Sequence, residues 1–445
     1  MRPLPAASIW WIFGLLLIVA IGATVWLLSS FGDGSEQDKV QLETIRLAGT
    51  IVLGTGGAAA LFVALRRQRA TELDLVQKQR AHELQQQVAE QSRLDAEQRR
   101  VTELYTAAAE QLGHERAAVR LAGLYALQRL GQVHPEQRRP IVNVWCAYLR
   151  MPFRDPDAED VDEQERAERL QEAEVRLTVQ RLLREHVHSS PEHDELVSSR
   201  YWGDDLDVDL AGAILYRFDL RGCRIHPHAA FTDATFIGAA WFNDATFTGT
   251  ARFAKATFTE TAWFDSATFT DTAWFDSATF TDTAWFDDAT FTDIAKFNNA
   301  TFTDTARFDD ATFTDAWFNN ATFAGSIARF DNARFAGVAR FESVKFISTA
   351  WFDKVKFADS VRFDNARFTE NARFDNATFA GAARFTDIAF TNARFNGTAT
   401  FTGAVALLRD DHAWPSAWVL QPDKEVAVPK GGNPAGMGGK LVWAS

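Results

Sequence analysis

Apolar residues recur through the second half of the chain at intervals that alternate between five and six residues. The segment TAWFDSATFTD, residues 261–271, returns letter for letter in residues 272–282, and its Phe residues are centres of this pattern. A small or aliphatic residue stands two positions before each centre. Two inward positions separated by one residue indicate a very short β-strand. A turn must follow, because the next pair begins only three or four residues later.

A helix does not explain this spacing. At 100° per residue, Phe264 and Phe269 would lie about 140° apart around a helix. The repeat is also rich in Thr, Asp, Asn and Phe, which are mediocre helix formers. Strands and corners that alternate many times indicate a β-solenoid. The predicted inward ladder includes Leu210, Leu215, Leu220, Phe242, Phe253, Phe264, Phe275, Phe286, Phe297 and Phe308.

The repeat resembles the pentapeptide-repeat family, whose unit is a small residue, a variable residue, a central Leu or Phe and two further residues. The resemblance covers about residues 208–401. It implies a right-handed, four-sided β-helix with one unit on each side. The sixth residue of alternate units departs from the family pattern. We interpret it as one extra residue at alternate corners, which predicts about 22 residues per coil.

The ladder is irregular at one place. Phe308, Phe313, Phe318 and Phe323 are spaced by five residues, and the letters SIA then lengthen the interval before Phe330 to seven. We interpret the missing and added residues as a local adjustment that restores the register. A bend with a binding role is the alternative.

Two apolar runs predict a transmembrane hairpin in residues 1–70. Residues 8–31 and 47–65 are long enough to cross a bilayer, the loop between them is acidic, and Arg66, Arg67 and Arg69 follow. The positive-inside rule places both ends, and hence the repeat, in the cytoplasm. The whole chain resembles membrane-anchored bacterial pentapeptide-repeat proteins, particularly actinobacterial ones. This resemblance implies location at the bacterial plasma membrane.

The region between the hairpin and the repeat is predicted to be helical. Residues 71–112 contain no Pro or Gly, and their loose heptad pattern fits either a weak coiled coil or a solvated connecting helix. Residues 113–200 predict a small helical domain. The solenoid is assigned to residues 206–404, and residues 405–445 are predicted to form a cap and a flexible tail. The predicted fold class is membrane-anchored α + β.

The residue before each central Phe is predicted to face solvent. In the first half of the repeat it alternates between Thr and a large residue. Stacking and cation–π contacts would explain the Trp residues as stabilising, whereas a docking face for a protein partner or lipid is the functional alternative. Thr flanks alternate Phe residues on both sides, as Thr268 and Thr270 flank Phe269. These Thr arrays resemble the surfaces of ice-binding β-helices, although Thr is also a favourable strand residue. The candidate partner surface consists of Trp241, Trp263, Trp274, Trp285, Trp317 and Trp351.

Charge divides along the repeat of this acidic chain, whose net charge is −13. Residues 231–327 hold four basic and fourteen acidic residues, a net charge of −10, and residues 328–401 hold eleven basic and eight acidic residues, a net charge of +3. An acidic protein does not attract nucleic acid, so DNA binding is not expected. Either surface ion-pair ladders or an electrostatically polar rod that orients a partner would account for the division.

Catalytic and metal-binding motifs are missing from the sequence. We find no phosphate-binding Gly loop, no zinc-spaced Cys and His cluster and no nucleophile elbow. The letters HPH at residues 226–228 are weak support for a metal site. Cys146 is most simply a buried apolar residue. No catalytic residue, cofactor or metal is therefore predicted, and the protein is not expected to be an enzyme.

These observations predict a non-enzymatic scaffold that is tethered to the cytoplasmic face of the membrane and binds an unidentified protein partner. Self-association is a further candidate. The alternative is a DNA-mimicking inhibitor or protector of a type II topoisomerase, which the resemblance implies because some soluble relatives act in this way. A third hypothesis is a surface-binding protein that uses the Thr arrays.

Overall fold

The structure is a computed structural model. It describes residues 36–159, 161–187, 201–203, 206–225, 229–384, 399–400, 405–407, 418–430 and 433–443, and isolated helical residues between 18 and 29. The chain divides into two compact units, residues 1–98 and 99–445. The helices are α1 (Glu36–Leu112), α2 (Ala117–Val133), α3 (Arg138–Arg150) and α4 (Glu163–Val187), with a 3₁₀ turn at Pro135–Gln137.

The prediction of two transmembrane helices is wrong. The first apolar run, residues 8–31, lies almost entirely outside the described residues. The second run, residues 47–65, lies within α1, where the weakly apolar letters GTGG interrupt it and arginines follow it. In the part of the chain that the structure describes, no helix is both long and apolar enough to cross a bilayer. The predicted membrane tether and its orientation depended on these two spans.

The repeat forms a four-sided β-solenoid of about eight coils, in which strands of successive coils pair in parallel along each side. Partners in the regular part are 22 residues apart, as Asn243 and Asp265 are, and Thr257 pairs with Thr279 in the same way. We number the sides faces 1 to 4 in chain order, so face 1 is opposite face 3, and face 2 is opposite face 4. The prediction of a four-sided solenoid, with its extra residue at alternate corners and its coil length, is therefore confirmed.

The strands are short, and each face carries one strand per coil. Face 1 contains Ala251–Arg252, Ala273–Trp274, Ala339–Arg340, Val361–Arg362 and Ala383–Arg384. Face 2 contains Ile214–Tyr216, Thr235–Ile237, Thr257–Phe258, Thr279–Phe280, Thr301–Phe302, Thr322–Phe323, Lys345–Phe346 and Arg367–Phe368. Face 3 contains Ala240–Trp241, Ala262–Trp263, Ala284–Trp285, Ala306–Arg307, Ile327–Arg329, Thr349–Trp351, Ala372–Arg373 and Ala399–Thr400. Face 4 contains Arg224–Ile225, Thr246–Phe247, Thr268–Phe269, Arg334–Phe335, Lys356–Phe357, Thr378–Phe379 and Val405–Leu407.

Two longer strands, Thr290–Lys296 and Thr312–Trp317, pass from face 4 around the corner to face 1 and join these faces in one sheet. At the C-terminal end, Val405–Leu407 pairs with an antiparallel hairpin formed by Trp418–Lys430 and Asn433–Trp443. This hairpin extends face 4 beyond the last coil.

Four aromatic rings per coil fill the interior. Phe264 and Phe286, one coil apart on face 3, stack with ring centroids 4.8 Å apart. Phe264 also meets Phe275 of face 1 edge to face, with centroids 5.5 Å apart. Both arrangements are favourable for aromatic rings. The ten residues of the predicted inward ladder are at most 1% exposed. Because the stacking partners belong to neighbouring coils, each coil depends on the coils above and below it.

Two kinds of corner produce the alternating spacing. After faces 1 and 3 the chain makes a tight turn, in which Ser266 has a φ of 55° and the Ala267 N–H donates to the Phe264 carbonyl. Most such positions hold Asp, Asn or Ser, and Asn and Asp tolerate this left-handed conformation better than other non-glycine residues. After faces 2 and 4 the corner is one residue longer. The hydroxyl of Thr270, at such a corner, donates to the Phe247 carbonyl at 3.0 Å.

The irregular spacing is a compensated change of register. On face 1, the interval from Phe297 to Phe318 is one residue shorter than a regular coil, and the interval from Phe318 to Phe341 is one residue longer. The ring centroids of these two pairs are nevertheless 4.9 and 5.0 Å apart. On face 3, Phe308 and Phe330 keep the regular interval and stack at 4.9 Å. The shortened corner and the later insertion therefore cancel, as the sequence predicted, and the core continues without a break.

The helical domain covers the N-terminal end of the solenoid. The side-chain amide of Gln180 in α4 bonds to the backbone of Tyr216 in the first strand of face 2. Its Nε2 donates to the Tyr216 carbonyl at 2.8 Å, and its Oε1 accepts the Tyr216 N–H at 3.2 Å. A neighbouring strand would make the same kind of backbone hydrogen bond. Arg176, which is fully buried, donates to the Ile214 carbonyl at 3.1 Å and pairs with Glu172 at 2.9 Å. These contacts satisfy an edge strand that would otherwise be open to pairing.

Candidate interaction surface

The outward residues of face 3 form a column in which aromatic rings and cations follow one another. Along the described coils the column contains Trp241, Trp263, Trp285, Arg307, Arg329, Trp351 and Arg373. Trp263 and Trp285 stack with centroids 4.9 Å apart and planes 17° apart. The Arg307 guanidinium lies over the Trp285 ring, 4.1 Å from its centroid. The strands bring these residues together because each residue of the column lies one coil after the previous one.

Face 1 carries a second column on the opposite side of the solenoid. It contains Arg252, Trp274, Lys296, Trp317, Arg340, Arg362 and Arg384. The Lys296 ammonium lies between two rings, 4.8 Å from the centroid of Trp274 and 5.2 Å from that of Trp317. The Arg340 guanidinium covers the other side of Trp317 at 5.0 Å. Trp274 is 40% exposed, so this column presents aromatic surface to solvent.

These contacts help to judge whether the Trp residues stabilise the solenoid or form a docking surface. Each cation–π contact stabilises the solenoid by about 0.5–1 kcal/mol at an exposed site. The six predicted surface Trp residues lie in only two columns, Trp274 and Trp317 on face 1 and the other four on face 3. A partially exposed ring held by its neighbours loses little conformational entropy on binding. The columns therefore have both the stabilising contacts and the rigidity that a docking surface requires.

An ion-pair ladder follows the corner beside face 3. Arg307 pairs with Asp287 at 2.5 Å and with Asp309 at 3.5 Å, and Arg329 pairs with Asp309 at 2.8 Å. The Asp309 N–H donates to Asp287 Oδ1 at 3.0 Å, and the Asp331 N–H donates to Asp309 Oδ1 at 3.1 Å. One carboxylate oxygen thus joins successive coils while the other accepts a cation. Face 1 has similar pairs, such as Arg362 with Glu342 at 3.3 Å.

Two carboxyl groups in this ladder have strongly shifted pKa values. Burial raises the pKa of Asp309 to about 6 against the opposing effect of Arg329. Burial, with the adjacent Asp287 charge, raises the pKa of Asp265 to about 6. Asp265 Oδ2 accepts the amide of Asn243 at 3.0 Å, and no ion pair of Asp265 is present among the described residues. Asp265 therefore lies at the acidic end of the ladder, where charge compensation is weakest.

Faces 2 and 4 change character along the solenoid. In the earlier coils the residue before each central Phe is Thr, whereas Arg334, Lys345, Lys356 and Arg367 occupy the equivalent positions in the later coils. These four side chains are exposed and form no ion pair with any described residue. Sequence reasoning overlooked them as a group. The replacement of Thr by Lys or Arg at this position was the signal that could have identified them.

The two cysteines of the chain, Cys146 and Cys223, are buried and do not favour nucleophilic chemistry. Burial raises the pKa of the Cys146 thiol to about 12, and burial also raises that of Cys223. A protonated, buried thiol is a poor nucleophile. His226 and His228 lie outside the described residues. Within the described ranges, no three His, Cys, Asp or Glu side chains are grouped to hold a metal ion.

Comparison with known protein families supports the repeat assignment. A family described as pentapeptide repeats (9 copies) matches six overlapping segments, residues 210–257, 253–301, 286–326, 297–345, 318–366 and 341–389. No curated protein and no solved structure matches the chain. The matched segments contain all the strands of faces 1 to 4 except Ala399–Thr400 and Val405–Leu407. The repeat segment of this chain therefore belongs to the pentapeptide-repeat family.

Proposed function

We propose that the protein is a non-enzymatic scaffold whose solenoid binds a protein partner through the Trp–cation columns of faces 1 and 3. The observation that carries the proposal is the position of Trp274 and Trp317 around Lys296. The rings are rigidly held and partly exposed, and aromatic residues with neighbouring cations are typical of binding hot spots. Pentapeptide-repeat proteins are generally structural or interaction proteins, which is consistent with this role.

The rigidity of the solenoid supports the same role. The strands of faces 1 and 3 rest on stacked Phe rings, so the positions of the outward side chains change little when a partner binds. A preorganised surface avoids much of the entropic cost of association. The columns extend over several coils, which favours a partner that contacts an elongated surface rather than a small molecule.

Photo-crosslinking of the full chain tests this function. A photoreactive amino acid would replace Trp274 on face 1 or, as the matched control, Thr279 on face 2. We expect a partner protein that crosslinks at position 274 and not at 279, and that is no longer captured when Trp317 is changed to Ala. The proposal is overturned if both positions capture the same proteins or if Trp317→Ala leaves the captured partner unchanged.

A DNA-mimicking topoisomerase inhibitor is the second candidate. It is favoured by the net charge of −10 over residues 231–327 and by one or more corner carboxylates in each coil there. The cation columns of faces 1 and 3 oppose it, because they interrupt a continuous negative surface. A supercoiling assay with a type II topoisomerase distinguishes the two functions. No inhibition or protection at micromolar concentrations of the chain would exclude the second candidate.

The Thr arrays have a structural use that the sequence did not reveal. The hydroxyls of Thr248, Thr259, Thr270, Thr281 and Thr292 each donate to a carbonyl of the preceding coil. A hydroxyl that already bonds to the backbone is less available to order water on a surface. These contacts between coils explain the Thr residues that follow a central Phe, and no observation favours a Thr-based surface-binding function.

A further inference from the structure

The Trp column of face 3 contains a step at which two neighbouring rings do not contact each other. Trp241 and Trp263 lie one coil apart, on paired strands, and both are partly exposed. Trp263 stacks on Trp285, and the Arg221 guanidinium lies over Trp241, 5.6 Å from its centroid. Within the described residues, no ring contact or cation–π contact occurs between Trp241 and Trp263. Each of these two rings therefore has one side that no aromatic ring or cation of the described chain covers.

The carboxyl group beside this step has no cation. Asp265 lies at the corner after Phe264, and its Oδ2 accepts the Asn243 amide at 3.0 Å. The described residues provide no ion pair for Asp265, whereas Asp287, one coil later, pairs with Arg307. The step thus combines two partly exposed Trp rings with a carboxylate whose charge is not compensated.

The later coils of face 3 show which group fits this combination. The Arg329 guanidinium lies over Trp351, 5.1 Å from its centroid, and pairs with Asp331 at 3.3 Å. Arg373 also lies over Trp351 at 5.1 Å and pairs with Asp353. A planar guanidinium can stack on a ring and donate to a carboxylate at the same time. At the step described above, the rings and the carboxylate recur and the Arg does not.

The surroundings of the step are acidic. Residues 240–288 contain eight acidic and two basic residues. The two basic residues are Arg252, which lies on face 1, and Lys255, which lies at the corner between faces 1 and 2. Asp244 and Asp288 are exposed at the corner beside face 3, and neither forms an ion pair with a described residue. This side of the earlier coils therefore attracts cations.

We propose that the step between Trp241 and Trp263, together with Asp265, binds an arginine side chain that a basic segment of a protein partner presents. The guanidinium stacks on an uncovered ring and donates to the Asp265 carboxylate. Further basic residues of the segment lie near Asp244 and Asp288. The inference rests on the proposed function in taking face 3 as a docking surface, and it adds the chemistry of the partner.

An arginine-bearing segment fits this site better than the chain's own cations or nucleic acid. The nearest cations of face 3, Arg221 and Arg307, are paired with Asp219 at 2.8 Å and with Asp287, respectively. Nucleic acid phosphates are repelled by the acidic residues of these coils. A lysine ammonium is a compact charge without the planar group that stacks on Trp and donates to a carboxylate in a fixed geometry.

Fluorescence anisotropy of a short fluorescein-labelled peptide, in which arginines alternate with glycines, tests the site on the full chain. Trp263→Arg places a guanidinium of the chain beside Asp265, as Arg329 lies beside Asp331, and should weaken peptide binding at least about tenfold. Asp265→Asn removes the charge and keeps both rings, and should weaken binding at least about threefold. The same peptide with lysines should bind the wild-type chain at least about threefold more weakly.

Two matched controls make the same charge changes at the corner between faces 1 and 2. Ser277→Arg adds a cation at an exposed position that Lys255 occupies one coil earlier. Asp276→Asn removes a carboxylate that directly follows a central Phe, as Asp265 does. Each control should change the dissociation constant of the peptide by less than about twofold. Far-UV circular dichroism checks that every variant keeps its fold.

Four results would overturn the proposal. They are the absence of saturable peptide binding, equal weakening by Ser277→Arg and Trp263→Arg, unchanged binding by Asp265→Asn, and equal affinity for the lysine peptide. Such a failure is distinguishable from failure of the proposed function, because the crosslinking test at Trp274 concerns face 1. A partner captured at Trp274 without any peptide binding would support the proposed function and reject this inference.

Discussion

The earlier and later halves of the solenoid have the same interior and different surfaces. Phe264 and Phe286 in the earlier half stack at 4.8 Å, and Phe341 and Phe363 in the later half stack at the same distance. Outside, the net charge changes from −10 over residues 231–327 to +3 over residues 328–401. Each inward side chain contacts Phe rings of the coils above and below it and of the other faces. These contacts restrict which residue types fit at the inward positions. Outward side chains contact mainly solvent and the outward residues of the same column in neighbouring coils. Their charge can therefore vary along the solenoid.

The largest expected effect tests whether the two interiors are equivalent. Phe275→Ala and Phe341→Ala should each lower the free energy of unfolding by about 3–5 kcal/mol, because each removes a buried ring from a close-packed stack. Urea unfolding followed by Trp fluorescence measures the change. Thr268→Ala, an outward control, should change the free energy of unfolding by less than about 0.5 kcal/mol. Clearly unequal losses for the two Phe variants would show that the halves pack differently.

The second largest expected loss of stability concerns the first coil of the solenoid, where the helical domain covers it. Gln180→Ala removes both hydrogen bonds to the Tyr216 backbone and should cost about 1–3 kcal/mol, since it leaves polar groups of a buried edge unpaired. Hydrogen exchange should accelerate in the first coil and remain unchanged in the later half, because repeats contact only their neighbours. Glu174→Ala, an exposed position on the same helix, is the control. Uniform acceleration along the solenoid would contradict this local role.

A smaller effect depends on pH. The pKa of Asp265 is raised to about 6 from an ordinary value of 3.8, chiefly by burial. Its contribution to stability is therefore fully present below the ordinary pKa and is lost as the pH rises through about 6. Asp265→Asn should be more stable than the wild-type chain by about 1 kcal/mol at pH 8, a value reduced for partial solvent screening.

Thermal unfolding of both chains from pH 4 to pH 8 measures this difference, which should disappear at the acidic end. Asn is acceptable at this position of the ion-pair ladder because Asn243 occupies the equivalent position one coil earlier. A variant that is less stable than the wild-type chain at pH 8 would show that the Asp265 carboxylate is favourably compensated.

The smallest effect tests the surface columns. Lys296→Met removes the cation between Trp274 and Trp317 and should cost about 0.5–1 kcal/mol, with a change in Trp fluorescence. Lys345→Met on face 2 removes an exposed cation that has no aromatic neighbour among the cation–π contacts of the described residues, and should cost less than this. Equal losses for both variants would indicate that the aromatic neighbours contribute nothing measurable.

Much of the fold could be predicted because it depends on intervals between residues that are close in the sequence. The small residue and the Phe two positions later define an inward-facing strand, and this pair recurs often enough to indicate both the solenoid and its coil length. The transmembrane hairpin was predicted by the same kind of local pattern and was wrong. Hydropathy describes a segment alone, and the run at residues 47–65 lies within a helix of 77 residues.

The candidate surface was only partly predictable. A coil of 22 residues is enough to place Trp241, Trp263 and Trp285 in one column, because they are 22 residues apart in the sequence. The edge contacts of Gln180 could not be predicted, because no pattern in the sequence relates α4 to the strand that contains Tyr216. The unpaired cations of face 4 were also missed, since their lack of partners depends on which acidic side chains lie within reach.

The inward-facing residues and the coil length can be read from the sequence, because they depend on intervals of two, five and six residues along the chain. Three properties require the folded structure: which outward residues become neighbours, how the first coil is covered, and why the pKa values of Asp265 and Asp309 are raised. These properties arise from distances through space and from exclusion of water. Both depend on how the corners close each coil and on how the coils stack.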